Sequence, residues 1–174
     1  MFLIGQSIET ILKNIDSKLE NKQDYEALIY SVFSFERMVR RTINFMFREA
    51  GYHPKFINQY ILGKDSDWRK LKELFKLGNL YSTGEEDGIN EILTRPIWKM
   101  FDNSNEPLGA MQIRNKIAHG IVPKRAGVQA SAQNMKLVIN KWDSWCSSNL
   151  GYNGTGKLLF KKSKVKIPFP TVKT

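Results

Sequence analysis

Residues 112–120, the signature segment, read Gln-Ile-Arg-Asn-Lys-Ile-Ala-His-Gly and place a cation, an amide and an imidazole within about two helical turns. Arg114 carries a permanent charge that can brace a pentacoordinate phosphate. His119 can move the proton of a ribose 2'-hydroxyl near neutral pH, and Asn115 adds the amide between them. Neither the arginine nor the histidine needs a metal ion for these tasks. The residue types therefore predict cleavage of a phosphodiester bond.

Whether one helix can present Arg114 and His119 together depends on spacing, because side chains four apart share a face whereas those five apart lie about 140° around the cylinder. Asn115 and His119 share a face with Gln112, and Arg114 does not. The groups converge only if the turn before Gly120 is distorted or if two copies of the helix meet in a symmetric dimer. We expect the dimer, because this helix is apolar nearly all round. Its apolar residues are Leu108, Ala110, Met111, Ile113, Ile117 and Ala118.

An acidic residue interrupts the apolar stripe of the longest predicted helix, residues 24–50. The stripe repeats in steps of four and three, and Glu36 fills its one vacancy. The apolar members are Tyr25, Ile29, Val32, Val39, Ile43 and Met46. An unpaired buried carboxylate is costly, so Glu36 should face Arg114 or His119 across the bundle. A local ion pair with Arg40, four residues on, is an equally good alternative.

Hydrophobic periodicity predicts an all-α fold, an up-and-down bundle of four to five main helices with an irregular helical middle. Residues 7–22 form the first helix and residues 128–149 the last. Asp24 should cap the long second helix. Residues 52–105 are less regular, with short helices expected at residues 55–62, 67–77 and 89–101. The second of these should be capped by Asp65-Ser66.

The helix that carries the signature segment is expected to begin at Ser104-Asn105, with Pro107 in its first turn, and to end at Gly120. His119 then lies in the last turn, where the helix dipole favours the charged imidazolium. Histidine followed by glycine is also an ordinary helix ending, so a purely structural role for His119 stays open.

Length and composition restrict the class of protein. The chain of 174 residues has room for one helical domain, residues 1–150, and a basic flexible tail, residues 151–174. The tail holds six lysines and no acid, so most of the formal net charge of +10 belongs to it. Such a segment suits RNA, although a lysine-rich terminus is more often a solvated end. Cys146 is the single cysteine, and no long apolar run occurs, so we expect a cytoplasmic protein without disulfide or membrane span.

Several basic residues beside the signature arginine could contact an RNA backbone, with a solvated surface as the default. Arg40 and Arg41 form a basic edge on the second helix, Lys116 lies in the signature segment, and Lys124 and Arg125 belong to the loop that follows. With two histidines and one cysteine in the chain, neither a metal site nor a cofactor is expected.

At this point the chain resembles the HEPN superfamily of small helical domains. That superfamily is marked by an arginine, usually followed by a polar residue such as asparagine, and by a histidine after four to six intervening positions. Arg114, Asn115 and His119 match this pattern with four residues between the arginine and the histidine. The mid-stripe Glu36 also looks like a feature of the family's second helix. The resemblance covers roughly residues 7–149 in architecture, and the irregular middle matches no subfamily.

The resemblance implies a metal-independent endoribonuclease with a composite site in a homodimer, as in toxin–antitoxin, abortive-infection and CRISPR effector proteins. The 2'-hydroxyl would attack the adjacent phosphorus and leave a 2',3'-cyclic phosphate, with His119 as general base or acid and Arg114 stabilising the developing charge. Asn115 would orient the phosphate or the partner's histidine, and Glu36 would hold Arg114 or His119 in place. An antitoxin or defence-system partner is implied as well.

Two other functions remain open. The same residues could belong to a catalytically inactive HEPN-like module that binds RNA or a nucleotide, or that only stabilises a dimer. The segment could also be the ordinary ending of a helix in an interaction domain. That last reading predicts a monomer in which Arg114 is paired internally with an acid and no cleft is formed.

Overall fold

A computed structural model describes residues 7–63, 67–83 and 95–151, and all regular structure within these ranges is helical. The helices are α1 (Ile8–Glu20), α2 (Asp24–Glu49), α3 (Pro54–Phe56) continuing as a π-helix (Ile57–Leu62), α4 (Trp68–Thr83), α5 (Arg95–Phe101), α6 (Ala110–Ala118) and α7 (Arg125–Leu150). The predicted all-α helical bundle is confirmed. The predicted Asp65-Ser66 cap, and the predicted tail after Gly151, lie outside the described residues.

The described residues fall into two compact units. The first contains residues 7–38 and 95–151, and the second contains residues 39–63 and 67–83. The four predicted site residues, Glu36, Arg114, Asn115 and His119, belong to the first unit.

The core of the first unit is built around Phe35 of α2, which is fully buried. Its ring meets Phe101 of α5 edge-on, with centroids 4.7 Å apart, and Trp142 of α7 at 5.3 Å. Edge-to-face packing at these separations is favourable beyond simple burial. One apolar face of α7 is buried, as helical periodicity requires of a core helix. Its members are Val128, Ala132, Met135, Val138, Ile139, Trp142, Trp145 and Cys146.

The start of α2 differs from the prediction, because Asp24 is not its cap. The backbone N–H of Ala27 donates to the carbonyl of Gln23, which makes Gln23 the residue that begins the helical hydrogen bonding. Asp24 lies in the first turn, only 2% exposed, and its carboxylate forms an ion pair with Arg125 at the start of α7. The negative charge of Asp24 in the first turn interacts favourably with the helix dipole, so Asp24 stabilises the start of α2 by its charge rather than as a cap.

The second unit combines the end of α2 with α3, the π-helix and α4. Tyr52 links two of these elements, with its ring centroid 5.5 Å from Phe47 and 6.0 Å from Phe56. The carboxylate of Asp67 accepts from the backbone N–H of Lys70 at 2.8 Å and caps α4. Beyond that cap, α4 runs past the predicted end at residue 77.

The signature helix, α6, begins at Ala110 rather than at Ser104-Asn105, so the predicted start is wrong. Side-chain hydrogen bonds hold the preceding residues in a loop instead: the Gln112 side chain accepts from the Asn103 N–H at 3.1 Å and donates to Asp102 at 2.8 Å. Such bonds compete with helical ones. Gly109 lies so close to this loop that an added Cβ would be 2.5 Å from the Phe101 carbonyl oxygen.

Candidate functional site

Helix α6 stays regular up to the histidine. The His119 N–H donates to the Asn115 carbonyl at 3.0 Å, and the Ile121 N–H returns to the Lys116 carbonyl at 2.9 Å. Gly120 has a φ of 77°, a left-handed conformation that glycine adopts without steric penalty, so the predicted helix end is confirmed. His119 is the C-cap of α6, with a φ of −91° and a ψ of 13°, and its N–H also donates to the Lys116 carbonyl at 3.1 Å. The helix is therefore regular through Ala118 and departs from helical geometry only at His119.

The mid-stripe acid of α2 meets the signature arginine. Nη2 of Arg114 donates to Oε1 of Glu36 at 2.8 Å, and both side chains are 22% exposed. The sequence left open whether Glu36 faces Arg114 or His119 across the bundle or pairs with Arg40 along its own helix. The structure brings Glu36 to Arg114, so a partly buried carboxylate orients the guanidinium.

Phe33 completes the surroundings of Arg114. The guanidinium carbon lies 5.2 Å from the centroid of the Phe33 ring, within the range of a cation–π interaction. Nε of Arg114 is buried and has no hydrogen-bond partner among the described residues. The arginine is thus held by an acid through one amino group and by an aromatic ring through its carbon. Sequence reasoning missed Phe33, whose only signal is its place three residues before Glu36 on the same helix.

The amide and the imidazole lie on the other side of α6. Asn115 and His119 are both exposed, and neither side chain forms a hydrogen bond with any residue that the structure describes. In a regular helix they are separated from Arg114 by roughly 100° and 140° of rotation. Helical spacing therefore directs the Arg114 and His119 side chains of one chain to different sides of α6.

The loop after His119 is attached to the start of α2. The Tyr25 hydroxyl donates to the Pro123 carbonyl at 3.0 Å, and the Arg125 guanidinium donates to the Lys22 carbonyl at 3.0 Å while it pairs with Asp24. Arg125, predicted to bind RNA, is therefore engaged by the protein, although it stays exposed.

The other predicted RNA contacts are distributed over both units. Lys124 is exposed at the beginning of α7, and Lys116 is half-buried on α6. Arg40 and Arg41 are half-buried residues of α2 in the second unit. Of the predicted basic residues, Lys124 is thus the one that combines full exposure with a place in the loop next to His119.

Part of the apolar surface of α6 and of the two residues after Gly120 is exposed to solvent. Ala110 and Ile113 are buried, whereas Met111 is half-buried and Ala118 is exposed. The two residues after Gly120 are more open still: Ile121 is 55% and Val122 79% exposed. Apolar surface thus remains beside His119.

No described group of three or more His, Cys, Asp or Glu side chains is arranged to hold a metal ion. Within the described helices, none has the length and apolar character needed to cross a membrane. Cys146 is a buried free thiol.

No protein-family model matches this chain, and no curated protein or solved structure matches it. The resemblance to the HEPN superfamily therefore depends on the sequence motif alone.

Proposed function

We propose that this protein is a metal-independent endoribonuclease whose active site forms in a homodimer. The site combines Arg114 of one protomer with His119 of its partner. The observation that carries this proposal is the motif of Arg114, Asn115 and His119 on α6. The contact between Glu36 and Arg114 supports it, because it holds the cation on one side of α6 while His119 stays exposed on the other. Two catalytic groups on opposite sides of one helix meet most simply when a second copy of that helix lies alongside.

The proposed reaction is a transesterification within the RNA strand. An imidazole of His119 accepts the 2'-hydroxyl proton, the 2'-oxygen attacks the adjacent phosphorus, and the bond from phosphorus to the 5'-oxygen breaks. The leaving 5'-oxygen takes a proton from a solvent water and the imidazolium returns its proton to solvent, so the products are a 2',3'-cyclic phosphate and a 5'-hydroxyl. Arg114 stabilises the charge that develops on the phosphate oxygens, and Glu36 keeps the guanidinium oriented. Asn115 orients the phosphate or the histidine of the partner.

The uncovered apolar surface supports the dimer. Ala118, Ile121 and Val122 continue the signature segment as a solvent-exposed apolar stretch next to His119. Burial of such a stretch against its symmetric copy would remove apolar area from water and bring the ends of the two α6 helices together.

A second candidate is a catalytically inactive module that binds RNA or a nucleotide, or that only dimerises. The pairing of Arg114 with Glu36 inside one protomer favours this candidate as much as the first, because a paired arginine needs no substrate. An interaction domain with a coincidental helix ending predicts the same pair. The contact between Arg114 and Glu36 is therefore expected under all three functions. An assay of RNA cleavage distinguishes them.

The decisive experiment incubates labelled tRNA and mRNA with purified wild type, Arg114→Ala and His119→Ala in EDTA. We expect the wild type to cleave and to leave 2',3'-cyclic phosphate ends, while both variants lose activity and a 2'-deoxy substrate resists. RNA binding without cleavage by the wild type would instead favour the inactive module. An active enzyme of this kind suits a toxin–antitoxin or antiphage role, with an antitoxin or defence-system partner to restrain it.

A further inference from the structure

Phe33 lies beside the proposed phosphate-binding arginine and is itself 41% exposed. An isolated exposed aromatic residue is common on protein surfaces and carries no functional meaning alone. Phe33 differs because a guanidinium lies over its ring, and because that guanidinium belongs to the residue assigned to the phosphate. Ring and cation both retain access to solvent, with 22% of the Arg114 side chain exposed.

Resting on the proposed function, we infer that Phe33 is a stacking platform for an unpaired nucleobase next to the scissile phosphate. The phosphate lies at Arg114 while the neighbouring base lies on the aromatic ring. A base inside a duplex is already stacked and paired, so it cannot be used in this way. The substrate class is therefore single-stranded RNA, with little base preference at this position, because every base has a π-face.

The charges around Phe33 favour RNA over a protein partner. Arg37 lies four residues after Phe33, on the same face of α2, and Arg114 lies over the ring. Two arginines and one glutamate thus lie at this part of the surface, with the carboxylate of Glu36 paired to Arg114. The cores of protein interfaces are poor in charged residues, whereas single-strand binding sites combine cations with aromatic rings. The apolar stretch at Ile121 and Val122 is the surface suited to a second copy.

The test measures binding separately from cleavage. A fluorescent single-stranded 2'-O-methyl RNA, which lacks the nucleophile, is titrated in EDTA with wild type, Phe33→Leu, Phe33→Trp and Tyr60→Leu. Leucine keeps apolar contact with Arg114 but has no π-face. Tyr60 is the matched control, an aromatic residue 62% exposed in the second unit that packs against Phe56 rather than a cation.

We expect Phe33→Leu to weaken single-strand binding about 5-fold or more, the lower range for loss of one stacked base. Phe33→Trp should bind as well as wild type or better, and Tyr60→Leu should be unchanged. Duplex RNA should bind the wild type and Phe33→Leu alike. In a series of oligonucleotides that each lack one base, one abasic position should weaken binding by wild type but not by Phe33→Leu. That position identifies the stacked base.

If wild type cleaves natural RNA, the ribonuclease proposal stands, and any of three outcomes would overturn the inference alone. Phe33→Leu could bind single-stranded RNA as tightly as wild type, or it could lose the same affinity for duplex as for single-stranded RNA. It could also change the mass of the dimer while its affinity for RNA stays the same. Wild type that neither binds nor cleaves RNA would remove the proposed function together with this inference. If Phe33→Leu fails to fold, the abasic series is measured on wild type and Phe33→Trp alone, and the absence of any single sensitive position overturns the inference.

Discussion

The two sides of α6 are held in different ways. On one side, Arg114 is bound to Glu36, covered by Phe33 and only 22% exposed. On the other side, His119 is exposed at the helix end and is positioned by the backbone of a left-handed glycine turn rather than by side-chain partners among the described residues. Long-range packing thus fixes the guanidinium of Arg114, whereas the imidazole of His119 is exposed to solvent.

The largest expected effect tests whether the two sides meet across a dimer. Arg114→Ala and His119→Ala should each lower RNA cleavage by about 100-fold or more, since each removes a group that acts in the transition state. Mixed and re-equilibrated in equal amounts, the two inactive variants should recover about a quarter of wild-type activity, because half the dimers are mixed and each has one intact composite site.

The control for this mixture is the double variant Arg114→Ala/His119→Ala mixed with either single variant, which should recover nothing. A site within one protomer would also give no recovery from the two single variants. Circular dichroism melting of each variant checks that lost activity is not lost folding.

The attachment of the loop after His119 gives the next largest effect. Asp24 is 2% exposed, so Arg125→Met leaves a buried carboxylate without its counter-charge and should lower the free energy of unfolding by about 2–4 kcal/mol. The matched control is Lys136→Met, because its partner Asp16 has a side chain that is 46% exposed, and this variant should cost less than about 1 kcal/mol. Urea denaturation measures both. Equal costs would show that the loop attachment contributes no more than a surface pair.

The pair on the Arg114 side should have an intermediate effect. Glu36→Gln leaves a partly buried guanidinium without its counter-charge and should destabilise the fold by about 1–2 kcal/mol. The control is Glu73→Gln, which removes an exposed ion pair with Arg69. The Glu73 side chain is 69% and the Arg69 side chain 86% exposed, so stability should change by less than about 0.5 kcal/mol. The difference between the two denaturation midpoints is the measurement. A Glu36→Gln variant as stable as Glu73→Gln would mean that Arg114 is held by packing alone.

The smallest effects come from two glycines that flank the loop after His119. A Cβ at either Gly120 or Gly127 would meet no atom within 4 Å, so sterics with neighbours play no part. Gly120→Ala should destabilise by about 1 kcal/mol because its φ of 77° is left-handed. Gly127→Ala lies within α7 and should stabilise by about 0.5–1 kcal/mol through helix propensity. Thermal melts of both variants measure the two changes in stability. Changes in the same direction would contradict the conclusion that the turn at Gly120 requires a left-handed glycine.

Local sequence patterns predict much of this fold. The buried face of α7 follows from helical periodicity, and the end of α6 at Gly120 follows from the conformational freedom of glycine. The start of α6 was mispredicted, because Gln112 forms hydrogen bonds with residues nine and ten positions earlier in the chain. Those bonds keep the preceding segment out of the helix, and no window of helical spacing contains them.

By itself, the sequence determined which residues share a helical face, that Glu36 needs a polar partner and that Arg114 and His119 diverge in a regular helix. Only the tertiary structure decided that this partner is Arg114, 78 positions away in the chain, and that Phe33 covers it. The physical reason is that periodicity and caps depend on neighbours within a few residues. The choice among several possible cations, and the exposure of one aromatic ring, depend on how separate helices pack.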